Sequence, residues 1–506
     1  MFAKRYPPEE LIEIIAAQSY SPEIVSYVKK VDHHPTLEKY LAAKPKLGVT
    51  GTIAKDYVDP STPNAVPYIS TKQIKGLHAY IEDAKYISKD ADIKWKKCRV
   101  DDGDIVINKS GDVGAAAVLC CRPYKYANSV SDIISIKLST TAPIDRDFLV
   151  VYLNSPYGQK QLQRLSGGAI FSHVSLHAIP RINVFSANFQ AQKYLGDKVR
   201  QAERLWAWSK ARGAEIDALT SCAEMVSACQ SPDKQHNRPQ LDDLSHRLDP
   251  KYYGSRAVSV FRQAKSLGKP LAGLISSISN GFEERVFFEV GLNYITVTEV
   301  SSGRLDLSSA PKISPATEVP AKAKIHERCA LVVRTGSIGT AVKVDFRDRG
   351  AVISSHLIRL EFTDEATAAA VAAYLNSPAG KILQHKISYG AVQPQIGQDE
   401  LLALPIPQFV LDAKDEILAL VQAQESAIRA SKALTTSAKL LVEALIEGRL
   451  DESLLKAAQV LLEGGNYSVD HSILNRLKTD GVDGSGQTLF ADLDELYRLL
   501  AQAQED

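Results

Sequence analysis

The chain has 506 residues, 45% of them hydrophobic and 24% charged, with a formal net charge of +1. That length holds two or three domains, each able to bury its own core. The balanced charge excludes a uniformly basic nucleic-acid binder and confines any such binding to local patches or a basic partner. Cysteines 98, 120, 121, 222, 229 and 329 form no C-x-x-C pair and have no histidine at ligand spacing. No metal site is expected from this pattern, and a reducing compartment is the simplest reading. Without a signal-like apolar region or a membrane-length apolar run, a cytoplasmic location with no membrane contact is expected.

In chain order, residues 8–30 are predicted helical. Pro7-Pro8 open the segment, and Leu11, Ile14, Ile15, Ile24, Tyr27 and Val28 follow helical spacing. From about Leu37 the texture changes to short β runs: Val66–Ser70, Ile105–Asn108, Ala115–Cys120 and Ile133–Leu138. Helix then returns over Asp147–Asn154. Ser155-Pro156 supplies a cap residue followed by proline at the first helical position of a next helix near Gln159–Leu165, which stops at Gly167-Gly168.

This punctuation occurs twice. Tyr152-Leu-Asn-Ser-Pro-Tyr-Gly158 and Tyr374-Leu-Asn-Ser-Pro-Ala-Gly380 lie about 222 positions apart. Asp104–Gly114 faces Cys329–Gly339, Tyr68-Ile-Ser-Thr faces Tyr294-Ile-Thr-Val, and Gly168-Ala-Ile faces Gly390-Ala-Val. The first copy of the motif, Asn154-Ser155-Pro156-Tyr157, imitates an amino-methyltransferase signature. Its second position is Ser, however, and the second copy has Ala379 where an aromatic would stack on a flipped base. The repeat therefore reads as a helix cap, and no catalytic residue is assigned.

Each copy runs into a long helical segment with a heptad seam. The first seam is Leu195, Val199, Ala202, Trp206, Ser209, Gly213, Ile216 and Leu219. The second is Ile417, Val421, Gln424, Ile428, Ser431, Thr435, Ala438 and Leu441. Two helices of about 40 residues, each about 60 Å long, would pack as a coiled coil. The fold class is α+β: two pseudo-repeated β-rich domains separated by two long helices forming an antiparallel coiled coil. The expected boundaries are 1–36 (helical extension), 37–185 (first domain), 186–230 (first spacer helix) and 231–245 (linker). Residues 246–410 make the second domain, 411–450 the second spacer helix and 451–506 a helical tail, with helices near Leu454–Leu462 and Phe490–Ala503 and a glycine-rich break between them.

With this order of segments the chain resembles the DNA-specificity (S) subunits of type I restriction–modification enzymes. The resemblance spans roughly 37–450. It rests on Arg247-Leu-Asp-Pro-Lys-Tyr-Tyr253, Tyr374–Gly380, Gly390-Ala-Val-Gln-Pro-Gln-Ile396 and Leu404-Pro-Ile-Pro407. It implies a non-catalytic subunit whose two target-recognition domains each read half of a bipartite site on double-stranded DNA. Two methyltransferase (M) subunits would bring S-adenosylmethionine and methylate adenine N6, and a motor–nuclease (R) subunit could join them; the chain itself would hold no cofactor. Split sites place two recognition modules about one helical turn apart, or a multiple of it. The competing reading is a duplicated protein–protein scaffold that dimerises through its coiled coil.

Base readout draws on Arg or Lys for guanine and Asn or Gln for adenine, carried on loops. The candidate DNA-binding residues are Lys72, Gln73, Lys75, Asn108, Lys109, Ser110, Ser172 and His173 in the first copy. In the second they are Thr298, Arg334, Thr335, Ser337, Lys343, Gln393 and Gln395. The Asn108–Ser110 turn and its twin Arg334–Ser337 lead this set, because a kept glycine (Gly111, Gly336) carries changed side chains. Lys94, Lys96, Lys97 and Arg99, with Arg347 and Arg349, are candidate phosphate contacts.

Overall fold

A computed structural model describes residues 12, 16–167, 173–245, 247, 249–390 and 392–505. The chain divides into two compact units: Met1–Ala207 with Ala427–Asp506, and Trp208–Ser426. Both are α+β. The expected opening helix is described from residue 16 as a short turn, Ala17–Tyr20, and the helix Pro22–Lys29; Pro7 and Pro8 lie outside the described residues.

The two units repeat one strand topology. In the first, Lys46–Leu47, Ile133–Ile136, Ile105–Asn108 and Ala116–Cys120 are neighbours in that order, extended by His78–Tyr80 and Ile74–Lys75. In the second, Ile275–Asn280, Leu357–Phe362, Cys329–Val333 and Ala341–Lys343 follow the same order. A second sheet in each unit contains a parallel pair: Tyr68 opposite Asn128, and Tyr294 opposite Val352.

The apolar runs lack alternation because both faces of the central strand are buried. Along Cys329–Val333, Cys329, Leu331 and Val333 join a core with Ile295, Val342 and Ile353. Ala330 and Val332 face the other way, into a core with Ala368, Val371, Leu375 and Leu383. The second layer of that core is the alanine-rich helix Glu365–Asn376, whose small side chains let it lie close to the strand.

The Asn, Ser, Pro and Gly of the twin motif each have a structural task. Ser155 and Ser377 accept a hydrogen bond from the amides of Gly158 and Gly380, capping Pro156–Arg164 and Pro378–Ile387 with proline at the first position. The asparagine closes a two-way clamp on a strand. Asn154 donates to the Ala116 carbonyl at 2.7 Å and accepts from the Ala116 amide at 3.3 Å. Asn376 makes the same pair of bonds with Ala341, accepting its amide at 2.9 Å and donating to its carbonyl. A Cβ on Gly380 would sit 2.1 Å from the Tyr374 carbonyl oxygen, so only glycine fits the turn. Tyr157, the ring that completes the methyltransferase imitation, is fully buried and donates to Glu447 at 2.9 Å.

Residues 22–36, which read as an extension outside the repeat, occupy a place within it. Pro22–Lys29 packs on Pro156–Arg164, as Ser255–Leu267 packs on Pro378–Ile387. The bridge between Thr36 and Asn183 answers the pairing of Gly268–Pro270 with Pro405–Pro407. Arg247 explains its motif by donating to the carbonyls of Ile387 (2.5 Å) and Ser388 (2.9 Å), which closes the C-terminal end of that helix. The flanking Leu248 lies outside the described residues.

The first long helix, Phe189–Leu219, is shorter than expected, and Ala223–Gln230 forms a separate helix after it; the second is Lys414–Ile446. In the second unit Gln424 donates to the Ser209 carbonyl at 3.0 Å, and Ile216 shares a core with Ile417. Partner numbers fall as helix numbers rise, so the two segments run antiparallel. In the first unit Ser431 donates to the Ala202 carbonyl at 2.7 Å, the pair that an antiparallel heptad register requires. The weak seam positions have a cause. A Cβ on Gly213 would lie 2.7 Å from the Gln424 amide nitrogen, so a polar layer replaces an apolar one there.

The tail forms helices Glu452–Glu463, Ser468–Arg476 and Leu493–Glu505; the middle one has no counterpart among the expected elements. It docks on the first long helix through a dry ion pair. Lys198 and Asp470 have side-chain exposures of 0% and 1%, and Tyr194 and Tyr497 donate to the same carboxylate at 2.7 and 2.9 Å. Asp470→Ala strands the ammonium and both hydroxyls, and should lower unfolding free energy by about 3–5 kcal/mol in urea titration. A drop under about 1 kcal/mol would contradict this account of the docking.

Candidate nucleic-acid interface

The two glycine turns sit on the same frame. In the first unit the Lys109 amide donates to the Asp132 carbonyl at 2.8 Å, and the Lys109 carbonyl accepts from the Val174 amide at 3.2 Å. In the second, the Arg334 amide donates to His356 and the Arg334 carbonyl accepts from Ile396, both at 2.9 Å. Each turn is thereby tied to the loop that follows the capped helix. Gly111 and Gly336 take φ of +77° and +88°, a region that disfavours other residues, and a Cβ on either would meet nothing within 4 Å. The outer side of each turn is open.

Around these turns the structure gathers part of the candidate set. In the first unit Lys109 and Ser110 are half-buried, and Ser110 is held by the Asp132 carboxylate. His173 is exposed on the short strand His173–Val174, paired with Ser166–Gly167; Ser172 lies outside the described residues. In the second unit Ser337 and Gln393 are exposed, while Arg334 and Gln395 are half-buried. The Gly336 amide donates to the Pro394 carbonyl at 3.1 Å, and Gln395 bridges both Thr335 and Tyr389 through its backbone. Side chains of Arg334, Ser337, Gln393 and Gln395 thus share one loop cluster.

Four candidates turn inwards and are corrected. Asn108 (3% exposed) and Thr335 (7%) belong to the buried frame of the turns. Gln73 is buried, accepts from the Ser70 amide at 2.8 Å and donates to the Asp83 carbonyl at 3.2 Å. Its twin is Glu299, which accepts from the Thr296 amide at 2.7 Å, so the pair is a capping device of the fold. Lys343 is buried and ion-paired to Glu365. A buried lysine that falls on a β strand reads in sequence like one on a loop, which is why composition misplaced it.

The remaining candidates lie on separate turns. Lys72 and Lys75 are exposed, with Lys75 paired to Asp83 at 3.2 Å, and Thr298 is exposed at the start of Thr298–Val300. Among the candidate phosphate contacts, Lys94, Lys96 and Lys97 are exposed on one short stretch. Arg99 instead binds the buried Asp92 and lies over the Tyr126 ring, while Arg349 pairs with Glu327 and Arg347 lies against Phe346. Asp132, which organises the first turn, escaped sequence reading because it lies 22 positions from Ser110. Nothing local marks such a partner.

No protein-family model matches the chain, and no curated protein matches it. Solved structures do. The S subunit of a type I restriction–modification system from M. genitalium is similar over 81% of this chain and 94% of its own, at 12% identity and a TM-score of 0.42. The HsdS subunit from Thermoanaerobacter tengcongensis is similar over 81% and 98%, at 14% identity and 0.26. A structure described as the basis of complex assembly and conformational transition of the type I R-M system is similar over 80% and 97%, at 13% identity and 0.26. No helix among the described residues is long and apolar enough to cross a membrane.

Lys343→Ala removes the buried ion-pair partner of Glu365, which stays 27% exposed and keeps Gln422 as a donor, and should cost about 1–2 kcal/mol of stability. Lys109→Ala should change stability by less than about 0.5 kcal/mol. Thermal and urea unfolding of the two variants side by side checks this contrast, and reversed magnitudes would overturn the assignment of framework and surface.

Proposed function

We propose that this chain is the non-catalytic DNA sequence-specificity subunit of a type I restriction–modification or methyltransferase complex. One observation carries the reading: a single chain holds two copies of one strand topology, each presenting a glycine turn of the same backbone frame with different side chains. Lys109, Ser110 and His173 stand on the first frame; Arg334, Ser337, Gln393 and Gln395 stand on the second. Two domains that read different half-sites need a constant scaffold and variable readers. The paired long helices and the motifs shared with S subunits support the same reading.

In this proposal each unit reads one half of a bipartite duplex site, and the chain directs two methyltransferase subunits that carry S-adenosylmethionine and modify adenine N6. In a restriction–modification assembly, as opposed to a methyltransferase alone, a motor–nuclease subunit would join as well. Lys94, Lys96 and Lys97 in the first unit, and Lys72 and Lys75 on a separate turn of the same unit, would contact phosphates and set orientation without reading sequence.

Changing Arg334 and Gln395 together to Ala should relax recognition in one half-site and spare the other, at about 1–3 kcal/mol for each base no longer read. Methylome sequencing of cells that carry the variant with its methyltransferase partner reads both half-sites at once. An unchanged motif would sink the site assignment. Absence of any motif with the wild-type pair would sink the function.

A further inference from the structure

The fold brings together three potential metal donors that the sequence scatters. His78 opens the strand His78–Tyr80, Cys120 ends the adjacent parallel strand Ala116–Cys120, and Glu203 lies on the long helix Phe189–Leu219. One donor atom from each falls within 4.8 Å of the others. Glu203 Oε2 is 3.2 Å from His78 Nε2, and Glu203 Oε1 is 3.2 Å from Cys120 Sγ.

A His78–Glu203 ion pair and a Cys120–Glu203 hydrogen bond already hold the three side chains together. His78 has 8% side-chain exposure, and the Glu203 carboxylate is the polar group that faces its buried Nε2. Tetrahedral ligands around zinc, with metal–donor distances of about 2.0–2.3 Å, stand about 3.3–3.6 Å apart. The carboxylate oxygens lie near that edge length from both partners. Glu203 keeps 34% of its side chain exposed, which leaves an entry path.

We propose that His78, Cys120 and Glu203 form a binding site for a zinc-type divalent cation that clips the sheet of the first unit to its long helix. Imidazole, thiolate and carboxylate together select a borderline-soft ion over magnesium or calcium. Binding replaces the Cys120 S–H bond by a sulfur–metal bond, and the proton leaves to the buffer. Three protein donors leave the fourth position to water. Among the described residues, such a cluster occurs in the first unit alone. The clamp that matches Ala116 with Ala341 sets Cys120 against Asp345, whose carboxylate instead accepts from the Arg347 amide at 2.9 Å. This revises the expectation of no metal site, and it stands apart from the DNA-reading proposal.

Cobalt(II) titration of the chelator-stripped full chain tests it. The expected result is a tetrahedral thiolate–cobalt spectrum that saturates near one equivalent and is displaced by zinc. Cys120→Ser should abolish the charge-transfer band, Cys121→Ser should keep it, and His78→Gln and Glu203→Gln should each weaken cobalt binding by at least roughly tenfold. In the wild-type chain, zinc should slow alkylation of Cys120 but not Cys98 in a peptide mass map, a readout that needs no variant to fold. No band at one equivalent, a band kept in Cys120→Ser, or equal alkylation with and without zinc would overturn the site.

Discussion

The structure of each half depends on one asparagine at the end of a helix. Asn154 and Asn376 bind both backbone groups of a single strand residue, Ala116 or Ala341, across 38 and 35 positions of sequence. A strand residue satisfied in this way has neither of its polar groups stranded when the helix covers it. Because Asn is followed at once by the Ser-Pro cap, the same few residues end one helix, anchor it to the sheet and start the next. The clamp adds to the apolar packing of helix on sheet a polar contact that fixes both at one strand residue, just after the glycine turn.

That turn shows how a framework can stay constant while its readers change. Lys109 and Arg334 have the same two backbone partners in their own units, one on the following strand region and one on the loop beyond the capped helix. The hydrogen bonds involve only main-chain atoms, so the side chains at and beyond these positions are free to differ. Left-handed glycines at 111 and 336 hold the chain in a form that leaves the outer side open. Polar residues next to the turn divide into those that serve the frame, such as Asn108 and Thr335, and those that face outward, such as Ser337 and Gln393.

Much of the architecture was legible because its signals are local. The strands Ile105–Asn108 and Ala116–Cys120 fall where short apolar runs end in turn residues, and the Ser-Pro caps lie where the sequence puts them. The heptad seam survived even at Gln424, since a polar layer opposite Ser209 and Gly213 keeps the register while changing the chemistry. Pro22–Lys29 was not legible as part of the repeat, because it and its counterpart Ser255–Leu267 share a packing role but little sequence pattern. Site residues were the least legible. Lys343 and Lys109 are both basic residues near the same kind of turn, and only burial separates the ion-paired one from the outward one.

By itself the sequence determined the duplication, the order of β-rich region and long helix, the caps and the seam, because each depends on spacing within a few turns of chain. Tertiary structure alone decided which polar side chains are buried, what the tail docks on and where His78, Cys120 and Glu203 meet. Those outcomes depend on contacts between residues tens to hundreds of positions apart, such as Lys198 with Asp470. No periodicity encodes a partner at that distance; it is set when two packed surfaces exclude water and leave each polar group to find a neighbour.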